Sequence, residues 1–88
     1  MKLIVLYRPN SEFARGVEQY VREFHDRTGK DIELLNIDTP DGISKMKLYD
    51  VLDHPTFLAL DNSGSLLQKW SGNPLPLINE LSAYGEVK

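Results

Sequence analysis

Leu3-Ile4-Val5-Leu6-Tyr7-Arg8-Pro9-Asn10-Ser11-Glu12-Phe13-Ala14-Arg15 begins with five apolar residues, closes them with Arg-Pro-Asn and continues into a helical pattern. A continuous apolar run, rather than an alternating one, is what a strand covered on both faces requires, so residues 3–7 are predicted to form a central strand. Beyond it Phe13, Val17, Tyr20, Val21 and Phe24 recur at the spacing of one helix face, while Glu12, Arg15, Glu18, Arg22, Glu23 and Arg27 fall elsewhere. Asn10 or Ser11 is of the type that caps such a helix, and Gly29 of the type that ends it in a left-handed conformation. Residues 32–37 read as a second strand. Strand, helix and strand in that order imply a right-handed crossover with the two strands parallel.

Working outward, Thr39-Pro40-Asp41-Gly42 is expected to turn the chain, and Ile43, Met46, Tyr49 and Leu52 to mark the apolar side of a short helix. Residues 56–60 and 66–70 are two short strands separated by Asp61-Asn62-Ser63-Gly64, a polar connection suited to an antiparallel hairpin. Asn73-Pro74 signals a helix start, followed by an apolar stripe of Leu77, Ile78, Leu81 and Tyr84. The order is β-α-β-α-β-β-α, an α/β fold in which a four-stranded mixed sheet is flanked by helices, and residues 1–88 read as one domain.

Composition narrows the function classes. The 41% apolar and 26% charged residues fit one globular domain. Thirteen acids against ten bases, scattered without a basic run, argue against nucleic acid as a partner. The apolar run at residues 3–6 is too short for a membrane span or a signal-peptide core, so the expected setting is the cytoplasm and no membrane partner is expected. With no cysteine, disulfides, thiolate nucleophiles and thiolate metal sites are excluded. His25 and His54 lack a second His or Cys at ligand spacing, and the Asp residues follow no calcium-loop pattern, so no metal and no cofactor is expected.

The element order and three local stretches resemble the thioredoxin/glutaredoxin family over essentially the whole chain. The stretch from Leu6 to Arg15 is similar to the glutaredoxin passage from first strand to first helix, with Ser11 and Ala14 where the two redox cysteines would stand. Asn36-Ile37-Asp38 resembles the end of the family's second strand, and His54-Pro55-Thr56 its X-Pro-Thr segment with a cis proline. The resemblance implies a thioredoxin-like fold without the low-pKa thiolate that dithiol exchange requires, so no dithiol-disulfide oxidoreductase activity is expected. Ser11 has no neighbouring base in sequence and does not read as a hydrolase nucleophile. Pro9-Asn10-Ser11 is also similar to the stretch before the first helix in the cysteine-free KaiB-type clock adaptors, a likeness of three residues that carries no clock role.

In relatives the segment before the cis proline pairs with an extended substrate chain. The resemblance therefore implies a peptide- or protein-binding groove between residues 8–13 and 54–56, with Arg8, Asn10, Ser11, Glu12, Phe13, His54, Pro55 and Thr56 as candidate contacts and no catalytic residue. The expected function is a non-catalytic binding or adaptor module. The alternative is a glutathione-binding or glutathione-dependent protein in which the Ser11 hydroxyl meets the sulfur, as in some glutathione transferases, whose helical second domain has no room in 88 residues. Two plainer roles remain open at this point: Asn10 and Ser11 as helix caps, and Pro55 as a structural turn. Tyr7, Phe57 and Trp70 lie on predicted strands, where aromatics chiefly pack; Trp70, on the last strand, is the one placed to meet a partner.

Overall fold

A computed structural model describes residues 2–72 and 75–85. Its elements are β1 (Lys2–Tyr7), α1 (Ala14–Thr28), β2 (Glu33–Asn36), α2 (Pro40–Leu48), β3 (Thr56–Leu60), β4 (Leu66–Ser71) and α3 (Ile78–Gly85). The sheet runs in the order β2-β1-β3-β4, with β1 parallel to β2 and antiparallel to β3, and β3 antiparallel to β4. Every expected element is present in the expected order.

The unbroken apolar runs have a direct cause. Along β1, Leu3, Val5 and Tyr7 face one side and join Phe57 and Ala59 of β3 with Ala14, Val17, Tyr20 and Phe24 of α1 and Leu81 of α3. Ile4 and Leu6 face the other side and join Leu58, Leu60, Ile37 and Val51, with Met46 and Tyr49 packed against them. Both central strands are thus buried on both faces, and full burial of each large side chain contributes about 1.5–3 kcal/mol relative to exposure. Val21 sits on the margin of the first cluster; Tyr20 and Phe24 carry that part of the helix face.

Three expectations are corrected by the packing. Thr39-Pro40-Asp41-Gly42 is the start of α2 rather than a separate turn: the Thr39 hydroxyl accepts from the Gly42 amide at 3.1 Å, and Pro40 occupies the first turn, where no amide is needed. Gly42 is required there by proximity, because a β-carbon on it would collide with the Asn36 carbonyl. Ile43 and Leu52 are exposed, so the inner face of this helical region is carried by Met46, Tyr49 and Val51 instead. Leu77 is likewise exposed and precedes α3, whose inward residue is Leu81. The Asn73-Pro74 helix signal and the Tyr84 side chain lie outside the described residues.

The Asp61 carboxylate organises the β3–β4 connection by accepting from the Ser63 amide and hydroxyl and from the Ser65 amide. Those bonds, the Ser63 hydroxyl foremost, hold its pKa below the ordinary carboxylate value. Gly64 supplies the positive φ of 91° that the loop needs.

Candidate functional site

At one end of the sheet, the β1–α1 connection and the loop entering β3 converge. Ser11 organises the first: its hydroxyl donates to the Arg8 carbonyl at 2.7 Å and accepts from the Phe13 amide at 3.3 Å, while its own amide also donates to the Arg8 carbonyl. A tight turn therefore precedes α1, which starts at Ala14. The N-cap position is Phe13, without a side-chain cap, and this displaces the expected capping role of Asn10 or Ser11 by two or three residues. Asn10 is exposed. The Arg8 guanidinium is engaged by both carboxylate oxygens of Asp38, each at 3.2 Å, and ties the end of β1 to the segment after β2. Of the two positions aligned with lost cysteines, Ala14 is buried and Ser11 half-buried.

The second loop carries a cis His54-Pro55 peptide bond, in agreement with the expectation from sequence. The Thr56 hydroxyl donates to the Asp53 carbonyl at 2.8 Å and closes this loop from inside, so the Thr56 side chain is buried rather than offered as a contact. The ladder registers of β3 with both neighbours begin at Thr56, which leaves His54 outside the sheet pairing.

Phe13 and His54 bring the two loops together: their rings meet edge to face, centroids 6.5 Å apart and planes at 80°. The His54 Nδ1 is covered and has no hydrogen-bond partner among the described residues. Beside this pair opens a cleft of about 200 Å³ lined by Glu12, Phe13, Gly16, Val17, Pro55, Gly72 and Leu75. The structure thus joins Glu12, Phe13, His54 and Pro55 in one place, while Arg8, Ser11 and Thr56 support the loops behind it.

Sequence reasoning missed Gly72, Gly16 and Leu75, and placed Val17 in the core without assigning it to the cleft. Gly72 donates its amide to the Pro55 carbonyl at 2.8 Å, and a β-carbon there would stand 2.7 Å from both that carbonyl and the ring Cγ. Its signal was visible as a lone glycine directly after the β4 pattern, where a close backbone approach is a common cause. Trp70 packs against the first core cluster from edge strand β4. His25, at the far end of α1, pairs with Asp31 at 2.7 Å. Among the described residues no group of three or more His, Cys, Asp or Glu is arranged to hold a metal ion, and no helix is long and apolar enough to cross a membrane.

No protein-family model matches the sequence, and no curated protein matches it. Solved structures do. Thioredoxin 1 from the thermophilic eubacterium Thermosipho africanus TCF52B superposes with a TM-score of 0.68 at 18% identity, over 98% of this chain and 96% of that one. A structure described as a malarial protein gives 0.64 at 22% identity, over 98% and 96% of the two chains. A designed protein gives 0.63 at 21%, over 97% of this chain and 72% of its own. At such identities the likeness concerns architecture. Together with the strand order, the cis proline opposite the first helix and the absence of sulfur at positions 11 and 14, it establishes that this chain has a thioredoxin-like fold and carries no cysteine.

Proposed function

We propose that the chain is a non-catalytic binding module that takes an extended peptide or protein segment along the groove between residues 8–13 and 54–56. The observation that carries this reading is the pairing of Phe13 with His54 beside a cis proline, at a site with no thiol. Main-chain groups of residue 54 lie outside the sheet registers and are suited to pairing with an incoming strand, while the apolar cleft beside Pro55 accepts a side chain. Nothing in this role calls for an oxidising compartment, and a cytoplasmic setting is part of the proposal.

The glutathione reading requires the Ser11 hydroxyl to donate to a thiolate. That proton is directed at the Arg8 carbonyl, and the nearby Arg8 cation is held by Asp38, so both groups would have to be released first. The peptide reading needs neither change and is the better supported.

Selection from a displayed library of random linear peptides tests the proposal, with the binding site of the recovered peptides mapped by amide chemical shifts. Enriched peptides that shift residues 12–17, 54–56, 72 and 75 are the expected result. Failure to enrich any peptide over a Phe13→Ser, Gly72→Val double variant would remove it, as would peptides that map only to the opposite end of the sheet.

A further inference from the structure

The side of the sheet covered by α2 carries a second hollow, of about 480 Å³, lined by Ile43, Met46, Lys47, Asp50, Val51 and Leu52; it shares no residue with the cleft at Phe13 and Pro55. Its wall includes a protrusion, since Leu52 is 86% exposed. The backbone that presents Leu52 is fixed on both sides. Asp50 takes a left-handed φ of 55°, and its carbonyl accepts from the Lys69 ammonium at 3.1 Å. The Val51 amide donates to the Met46 carbonyl at 2.8 Å, and the Asp53 carbonyl accepts from the Thr56 hydroxyl at 2.8 Å. With Val51 buried in the second core cluster, the side chain that follows it is left standing in solvent.

An apolar knob beside an apolar hollow on one patch is what an isologous contact requires, because each copy then offers the same residues to the other. We propose that this face joins two copies of the chain in a twofold pair, with Leu52 of each seated against Ile43, Met46 and Val51 of the other. The charges agree with a second copy as the occupant. Lys47 and Asp50 both line the hollow and are exposed, and among the described residues neither side chain has an ion-pair partner, whereas Lys45 on the same helix is held by Asp41 at 3.3 Å. A twofold axis sets Lys47 of one copy against Asp50 of the other, so the patch is neutral and self-complementary on a chain whose net charge of -3 otherwise opposes self-contact. A linear peptide would need neither the protruding Leu52 nor a balanced pair of charges. Six lining residues are few beside the roughly 20–30 on each side of a standard interface, so the pair is weak.

Overall tumbling and amide shifts, followed by NMR from about 0.05 to 2 mM protein, test the pairing. Tumbling should slow as concentration rises, with the shifts centred on residues 43–52. Leu52→Glu should weaken association at least about tenfold, and since Leu52 is exposed its unfolding midpoint should stay at the wild-type value. Leu48→Ser removes another apolar side chain, 69% exposed but outside the hollow, and should leave association unchanged. Lys47→Glu, which sets acid against acid, should weaken the pair about threefold at low salt and less at about 0.5 M salt. A chain that stays monomeric to about 2 mM would overturn the proposal, as would association that survives Leu52→Glu or maps to β4 or to the Phe13 and Pro55 cleft. A displayed-library peptide that maps to residues 43–52 of a monomeric chain would assign the hollow to a peptide and overturn it as well.

Discussion

The amide of Gly72 donates to the carbonyl of Pro55 at 2.8 Å, so that the end of β4 is pressed against the proline that shapes the cleft. A β-carbon at position 72 has no room, since Pro55 atoms stand 2.7 Å from where it would lie and belong to backbone and ring rather than to a flexible tip. Gly72→Ala should therefore destabilise by about 1–3 kcal/mol, the usual cost of overpacking. Urea unfolding measures the loss, and amide shifts at residues 54–56 should move with it. A midpoint equal to wild type would mean that β4 and the Pro55 loop are not in contact.

Phe24 is fully buried and Val21 half-buried on the same helix, so their substitutions should separate. Phe24→Ala should cost about 3–5 kcal/mol, enough to unfold much of a chain this small. Val21→Asp should cost less, because its carboxylate can turn toward solvent, and Arg22→Ala should stay within about 0.5 kcal/mol. Thermal midpoints in the order Arg22→Ala, Val21→Asp, Phe24→Ala check the phase of α1; a reversed order of the last two would contradict it.

Tyr20 carries a buried hydroxyl with no hydrogen-bond partner among the described residues, and burial, with Glu80 and Glu23 nearby, pushes its pKa from 10.0 up to about 12. The folded state holds this proton more tightly than the unfolded chain does. The corresponding stability is fully present below pH 10 and is lost as pH rises from 10 toward 12. Tyr20→Phe removes both the unpaired hydroxyl and the titration. It should be neutral or stabilising by about 1 kcal/mol at pH 7, and should flatten the alkaline decline. Denaturant midpoints from pH 7 to 11.5 measure this; a large loss on Tyr20→Phe at pH 7 would show that the hydroxyl has a partner.

Much of this was legible in the sequence. The continuous runs at residues 3–7 and 56–60 betray strands with two buried faces, and Gly29 marks the end of α1, where φ reaches 74°. His54-Pro55-Thr56 was readable as a cis-proline segment through its family resemblance, and the His54-Pro55 bond is cis. What failed was local and had tertiary causes. Gly42 looked like a turn residue because only the fold reveals the Asn36 carbonyl against it, and Ser11 looked like a cap because sequence cannot show that its hydroxyl closes a turn before the helix. Gly72, Gly16 and Leu75 belong to the cleft through contacts between distant segments, which no periodicity encodes.

Ser11 and Ala14 are linked through the turn, with the Ala14 amide donating to the Ser11 carbonyl at 3.2 Å, and they differ in exposure. Ser11→Cys with Ala14→Cys should close an intramolecular disulfide under mild oxidant. In the reduced protein the more exposed thiol at position 11, near the start of α1, should alkylate first, with a pKa below the roughly 8.5 of a free cysteine. The wild-type chain should give no activity above blank in insulin reduction. Two thiols that fold normally yet stay open and react alike would refute the alignment of these positions with the lost redox pair.

In the proposed binding mode an extended segment pairs with the main chain just before Pro55. Amide hydrogen exchange at His54, measured with and without a saturating library-selected peptide, tests it most directly. Exchange at His54 should slow at least about tenfold on binding, since a new main-chain hydrogen bond must open before exchange can occur, while the β4 edge from Leu66 to Ser71 is unchanged. Unaltered exchange at His54 together with new protection along β4 would contradict it and move the binding surface to the sheet edge.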